Sequence, residues 1–346
     1  MHTFRMFNRT SARSAASSLR WLAAIVLIAV ACGASSPAWC KPAASLWVAD
    51  WGSGTVLELT PSDLKSSGAP SPLVLDGSAL IQTQGVAFDK SKNLWVTTDD
   101  NLVLEYTPAQ LKKLGTVSNP TPHATIGSTM FTGIVGCVFD KHGNLWINDG
   151  EGDGIHELTQ KQLKAGSNPD ITPNINITST ASLNYPDFGV FDKSGNLWVS
   201  AESNNVIAEF TAAQLRSSGA ETAHIVLSSN GDSLADPGQI VFDGKGDLWV
   251  TNYNSGASGT VVMFAKSQLR ASGSPTPKVT LSGSAFEGPW SLALDSGGNL
   301  WVGDYSTSNV SMFSSTQLKT SGTPTPPVVL TGILDSAYQM TFGPVF

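Results

Sequence analysis

The tripeptide Leu-Trp-Val, or its near copy Leu-Trp-Ile, recurs along the chain with its tryptophan at Trp47, Trp95, Trp146, Trp198, Trp249 and Trp301. The intervals are 48, 51, 52, 51 and 52 residues. A near-constant period of this length means that one supersecondary unit is copied, and that no copy buries its apolar surface without a neighbour. Ahead of five of the tryptophans lies an apolar run ending in Asp and a polar turn: GVAFDKSKN from Gly85, GCVFDKHGN from Gly136, FGVFDKSGN from Phe188, QIVFDGKGD from Gln239 and SLALDSGGN from Ser291. Short apolar runs joined by Gly, Ser and Asn read as β-hairpins. A third strand follows each Trp strand, as in LVLEYT from Leu102, and a fourth such as PLVLD from Pro72 completes the unit. Four strands per unit and six units predict an all-β, six-bladed β-propeller with four-stranded blades over residues 39–346.

The two ends of the chain are complementary. The N-terminal copy begins at its Trp strand and lacks a first strand, whereas QMTFG from Gln339 has no Trp strand after it. Pairing of the C-terminal strand with the N-terminal blade therefore closes the ring and removes an open sheet edge. Loss of the last ten residues is expected to be severely destabilising.

A second repeated segment follows the third strand: TPSDLKSSG from Thr60, TPAQLKKLG from Thr107, TQKQLKAGS from Thr159, TAAQLRSSG from Thr211, AKSQLRASG from Ala265 and SSTQLKTSG from Ser314. Each reads as one short helical turn. Thr or Ser caps five of the six, and Asp63, Gln110, Gln162, Gln214 and Gln317 stand where a capping-box side chain reaches back. Leu59 with Leu64, and Phe210 with Leu215, have the spacing of a hydrophobic staple. The segment is read as architecture. Glu58, Glu105, Glu157 and Glu209 recur in the third strands, near the Lys or Arg of these turns, which are their expected partners.

Arg5, Arg9, Arg13 and Arg20 precede an apolar stretch at residues 21–31, and Ser36-Pro37-Ala38 offers small residues at cleavage spacing. This is a signal-peptide pattern over residues 1–38, too short for a stable membrane span, and it predicts an exported protein, periplasmic or extracellular. The run Ala29-Val30-Ala31-Cys32-Gly33 offers the alternative of a lipid anchor at Cys32 on an outer-surface lipoprotein. Cleavage removes four of the 20 basic residues and none of the 27 acidic ones, leaving a formal charge of −11. Such a surface repels nucleic acid and anionic lipid. Cys40 and Cys137 remain, and no disulfide framework or cysteine metal site is supported.

The hairpin Asp-x-x-Gly-Asn-Leu-Trp-Val, repeated around a ring, resembles the NHL-repeat and gluconolactonase or regucalcin-like six-bladed propellers, and is similar to the virginiamycin B lyase repeats. The resemblance covers roughly residues 43–346 and implies the fold, since these propellers include lactonases, lyases and binding scaffolds. In the metal-dependent lactonases it implies Glu, Asn and Asp ligands at the starts of the inner strands. The matching positions are Gln84, Val135, Asp187, Gly238, Trp290 and Tyr338, of which only Asp187 is a carboxylate. Calcium wants six or more oxygens, so a calcium site has no full ligand set and no metal ligands are assigned. For the lyase the resemblance implies a channel His, and His123, His142, His156 and His224 all fall elsewhere in the repeat.

If inner strands start at the upper face, the loops after the Trp strands rim the channel mouth. The candidate ligand-binding residues there are Asp50, Trp51, Asp99, Asp149, Glu202, Asn252, Tyr253, Asp304 and Tyr305, joined by Asp187 and Trp290 from the inner strands. Carboxylates and amides suit a cation or sugar hydroxyls, and the aromatic faces suit rings; equally, Asp and Asn suit tight turns. The repeated tryptophans are read as packing between blades. The leading expectation is an extracytoplasmic binding or scaffold propeller for a small molecule, glycan or protein partner. The alternative is a divergent metal-dependent lactonase or a virginiamycin B lyase-like enzyme.

Overall fold

Blades 2 to 6 each turn back at a repeated Asp, at Asp89, Asp140, Asp192, Asp243 and Asp295. In Asp89 one carboxylate oxygen accepts from the Asn93 amide at 2.9 Å, and the other from the Asn93 side chain at 2.9 Å and the Trp95 indole at 3.3 Å. Asp140 and Asp295 repeat this set with Trp146 and Trp301. The fourth turn residue takes a positive φ, 87° at Gly143 and 86° at Gly195, where glycine is the unstrained choice. Hydrogen-bond geometry, more than strand propensity, thus sets where the hairpin closes.

The computed structural model describes residues 44–179, 181–231, 233–254 and 258–346. The leader, its cleavage point near Ala38, Cys32 and Cys40 lie outside the described residues. Residues 44–346 form one unit of six antiparallel sheets. Blade 1 runs outward from the inner strand Ala337–Gly343 through Ser45–Asp50 and Thr55–Leu59 to Leu73–Leu75. Blades 2 to 6 follow in chain order from the inner strands Thr83–Phe88, Ile134–Phe139, Pro186–Phe191, Pro237–Phe242 and Pro289–Leu294. The C-terminal strand pairs antiparallel with Ser45–Asp50, so the ring closes as the chain ends predict. Among the described residues no helix is long and apolar enough to cross a membrane.

Blades are pinned to one another by rings. The Trp of each second strand meets the Phe that ends the next inner strand, edge to face: Trp47 with Phe88 at 5.3 Å, Trp146 with Phe191 at 6.1 Å and Trp198 with Phe242 at 6.0 Å. Trp95 with Phe139 and Trp301 with Phe342 repeat the contact, while Leu294 takes the Phe place beside Trp249. Aromatic pairs of this geometry add about 0.5–1.5 kcal/mol each beyond area burial. Cys137 is packed into the same layers as a buried free thiol, and burial pushes its pKa up to about 12.

Two further devices treat the sheet edges. On the outside, the Ser-Gly after the helical turn straps the preceding blade. The hydroxyls of Ser67, Ser218, Ser272 and Ser321 each accept at 3.0 Å from an outer-strand amide, and the next glycine bridges that strand in parallel. Those glycines hold φ between 144° and 158°, a region L side chains rarely adopt. In the helical turns the reach-back bond forms in all six copies, including Ala265 with Gln268. The recurring Glu differs from its expectation: Asn144 and Asn174 donate to Glu157, and Asn196 and His224 meet Glu209, so amides and histidine replace Lys and Arg as partners.

On the inside, two glutamines tie strands across the channel. Gln339 Oε1 accepts from the Val86 amide at 2.9 Å and the Cys137 amide at 3.4 Å, while its Nε2 donates to the Cys137 carbonyl. Gln239 Oε1 accepts from Leu292 and Met340 amides, and its Nε2 donates to the Met340 carbonyl at 2.8 Å. Gln339→Leu strands these edge groups in a buried setting, at about 1–3 kcal/mol for each unsatisfied group. The unfolding free energy from urea melts should fall by that much with an unchanged slope, whereas Ser272→Ala on the exposed strap should change it by about 0.5 kcal/mol or less. Deleting the strand Ala337–Gly343 should abolish the cooperative melt; a truncated chain that melts normally would contradict closure by that strand.

Candidate functional site

The upper end of every inner strand is bulged. Register slips between Thr83 and Gly85, Ile134 and Cys137, Pro186 and Gly189, Pro237 and Ile240, and Pro289 and Ser291, and opposite Val48 and Asp50 in blade 1. A bulge leaves an extra residue unpaired and re-aims its side chain. The residues so placed are Gln84, Val135, Asp187, Gly238, Trp290 and Tyr338. Gln84, Trp290 and Tyr338 line a cavity of about 290 Å³ together with Trp51, Asp99, Tyr185, Glu202, Tyr253 and Tyr305.

One wall of this mouth is a closed circuit of rings. Trp51 meets Tyr305 at 6.5 Å, Tyr305 meets Tyr253 at 5.9 Å, and Tyr253 meets Trp290 at 5.6 Å. Trp290 then meets Tyr338 at 5.5 Å, and Tyr338 returns to Trp51 at 6.4 Å. The opposite wall, from blades 2 and 4, is polar: Gln84, Asp99, Tyr185 and Glu202. Val135 and Phe188 pack with Trp290 in a buried apolar cluster that includes Tyr253, Tyr305 and Tyr338.

Several polar atoms at the mouth have no partner. Gln84 donates to Asp99 at 3.0 Å, but its own carbonyl oxygen is buried and unpaired. The Trp290 indole N–H is likewise buried without an acceptor. Asp187 is 0% exposed and neither of its oxygens is hydrogen-bonded. Burial, then the Glu202 charge, pushes its carboxyl well above the usual carboxylate range. Glu202 is raised by burial and by Asp236. Tyr185 is raised to about 12 by burial, then by the charges of Asp187 and Glu202.

Four of the residues that the sequence puts on the rim are turned to other work. Asp50 accepts from the amides of Asp335 and Ser336 and from the Ser53 hydroxyl. Asp149 accepts from the amides of Thr132, Gly133 and Gly152 and meets His156 at 3.2 Å. Burial opposes ionisation of Asp149, yet the hydrogen bonds from His156 and Thr132 outweigh it and hold this carboxyl below its ordinary range. Asn252 bonds Ala235, Ser233 and Thr260, and Asp304 bonds Gly288 and Thr307. The mouth thus gathers Trp51, Asp99, Glu202, Tyr253, Trp290 and Tyr305, with Asp187 buried beside Glu202 and Tyr338 in their electrostatic field.

Tyr185 is the lining residue that sequence reasoning missed. Its φ is 56°, and Gln82 and Asp236, in register two places before Gln84 and Gly238, are also left-handed at 46° and 47°. That recurrence makes the backbone conformation architectural, and the signal for Tyr185 is its place two residues before Asp187. His123 and His224 face Glu105 and Glu209, and His142 sits in a lower turn. Among the described residues no three His, Cys, Asp or Glu side chains gather to hold a metal ion.

No protein-family profile matches the chain, and no curated protein matches it. Solved structures do. A protein of unknown function from Bacteroides caccae superposes with a TM-score of 0.58 at 12% identity, over 88% of this chain and 100% of that one. The WD40 β-propeller domain of Doa1 gives 0.56 at 10% identity, over 86% and 82%. Virginiamycin B lyase from Staphylococcus aureus gives 0.51 at 14% identity, over 80% of each chain. These likenesses establish the propeller fold and its similarity to virginiamycin B lyase and other propellers.

The raised Asp187 has a direct stability consequence. A carboxyl whose folded pKa lies above its unfolded value binds more protons in the native state, so stability falls as pH rises through that interval. Asp187→Asn removes the charge and keeps the shape. Its melting temperature should match the parent below about pH 4 and exceed it increasingly above; a variant that is equal or less stable at pH 8 would show that the buried carboxyl is compensated.

Proposed function

We propose that this chain is an exported small-molecule-binding propeller whose ligand sits in the upper mouth of the channel. The observation that carries the reading is the 290 Å³ cavity, which joins an aromatic wall to a polar wall and whose lining residues Gln84 and Trp290 each keep a buried polar atom unpaired. Native proteins leave few buried polar groups unpaired, and such groups gather where a ligand or water completes them. The volume lies near the lower end of the range of roughly 300–1,000 Å³ for ligand pockets, which suits a small molecule better than a folded partner. The basic and apolar leader supports export. Rim loops on a rigid ring are the usual place for binding residues.

The test is thermal melting of the mature chain with a small-molecule library spanning saccharides, amines, carboxylic acids and aromatic heterocycles. A ligand at 100-fold its Kd adds about 2.7 kcal/mol to stability. At least one class should raise the melting temperature, and the rise should disappear in Trp290→Leu/Tyr253→Leu and shrink in Asp99→Asn, whose exposed side chain leaves folding intact. A rise that persists in both variants, or no rise with any class, overturns the reading.

A further inference from the structure

We infer that the mouth recognises a small organic ammonium ion with an apolar body, an inference that rests on the binding reading above and names its ligand class. The first argument is charge. Asp99 and Glu202 line the cavity, and among the described residues neither is paired with Lys, Arg or His. The fifteen Lys and Arg of residues 44–346 all fall in the lower hairpin turns, in or just after the helical turns, or at the start of an outer strand. The upper loops and the strand ends that flank them carry thirteen described acidic residues and not one Lys or Arg. No protein cation is therefore at hand to neutralise the mouth, and burial already disfavours the charged forms of Glu202 and Asp187. A bound cation relieves that penalty, while an anion compounds it.

The second argument is the aromatic circuit. Trp51, Tyr305, Tyr253, Trp290 and Tyr338 touch in sequence around one wall, and the faces of such rings carry the negative part of their quadrupoles. Cation–π attraction reaches about 2 kcal/mol or more when the ion is desolvated, and aromatic cages are its best-known use. A hard metal ion gains little from such a wall, because it needs six or more oxygens and the cavity lining offers two carboxylates. A neutral sugar stacks on the rings but leaves both carboxylates without a counter-charge. An alkyl- or benzylammonium satisfies both walls at once, with its body against the rings and its charge toward Asp99 and Glu202. Trp290 and Gln84, 5% and 6% exposed and each with an unpaired polar atom, are buried lining residues of the same cavity.

Titration calorimetry of the mature protein with benzyltrimethylammonium, benzyl alcohol and cellobiose tests this. The ammonium should bind at least tenfold more tightly than benzyl alcohol. Its affinity should fall about tenfold in Glu202→Gln and in Trp290→Leu, and fall further with added salt. Asp99→Asn, whose side chain is exposed, should lose affinity in the same direction and guards against a folding artefact at the buried positions. Equal binding of the charged and uncharged compounds, or cellobiose binding that Glu202→Gln leaves intact, overturns the ammonium inference and leaves the binding reading standing. Failure of these three compounds together with every library class overturns both.

Discussion

Each blade of this protein is a thin sheet with two apolar faces, and neither face has anywhere to go except against another blade. The Trp-to-Phe contact is where that requirement is met. Trp47 on Phe88, Trp146 on Phe191 and Trp198 on Phe242 each couple a second strand to the inner strand of the following blade. Because every blade depends on the next, the series is stable only as a closed ring, and Trp301 on Phe342 completes it through the C-terminal strand. The Ser-Gly straps and the two channel glutamines are consequences. Once the sheets stand side by side, their outer and inner edges expose amides that something must satisfy.

What was legible in the sequence follows from this dependence. A residue whose role repeats six times leaves a repeated letter, so the Asp, Gly, Asn and Trp of the hairpin announced both the turn and the blade. The helical turn was legible for the same reason, although the forward reach of its Gln side chains, as from Gln162 to the Thr172 carbonyl, was not. Gln239 and Gln339 were read only as strand residues. Each ties strands from separate blades, and nothing in a linear repeat records which strands converge on the axis.

The mouth was legible in outline and opaque in detail for a related reason. Asp50, Asp149, Asn252 and Asp304 end their second strands and stand on the rim, as expected, but each points its side chain at the amides of the loop that enters its blade. An Asp that caps a loop and an Asp that faces a ligand are the same letter. The aromatic circuit brings together Trp51, Tyr253, Trp290, Tyr305 and Tyr338, which come from three blades and from two kinds of position. Only the bulges, by turning Trp290 and Tyr338 into the channel, make these residues neighbours.

The two faces of the ring answer to different constraints, and the distribution of charge expresses this. The lower face is built from the repeated hairpin and helical turns, where Asp, Asn and Glu recur because the same bonds recur, and where the Lys and Arg gather. The upper loops repeat less: they vary in length, and what recurs is a left-handed residue, as at Gly54, Asn101, Asp153, Asn205 and Ser308, with a capping carboxyl or amide in four of them, at Asp50, Asp149, Asn252 and Asp304. Beside them stand acids, aromatic rings and, at the start of the blade 4 inner strand, the buried and unpaired Asp187, whose carboxyl burial pushes well above the usual range. Folding alone gives no reason to keep a carboxyl in such a place. The proposed binding role supplies one, since a buried acid that is costly to ionise alone is eased by a cation held nearby.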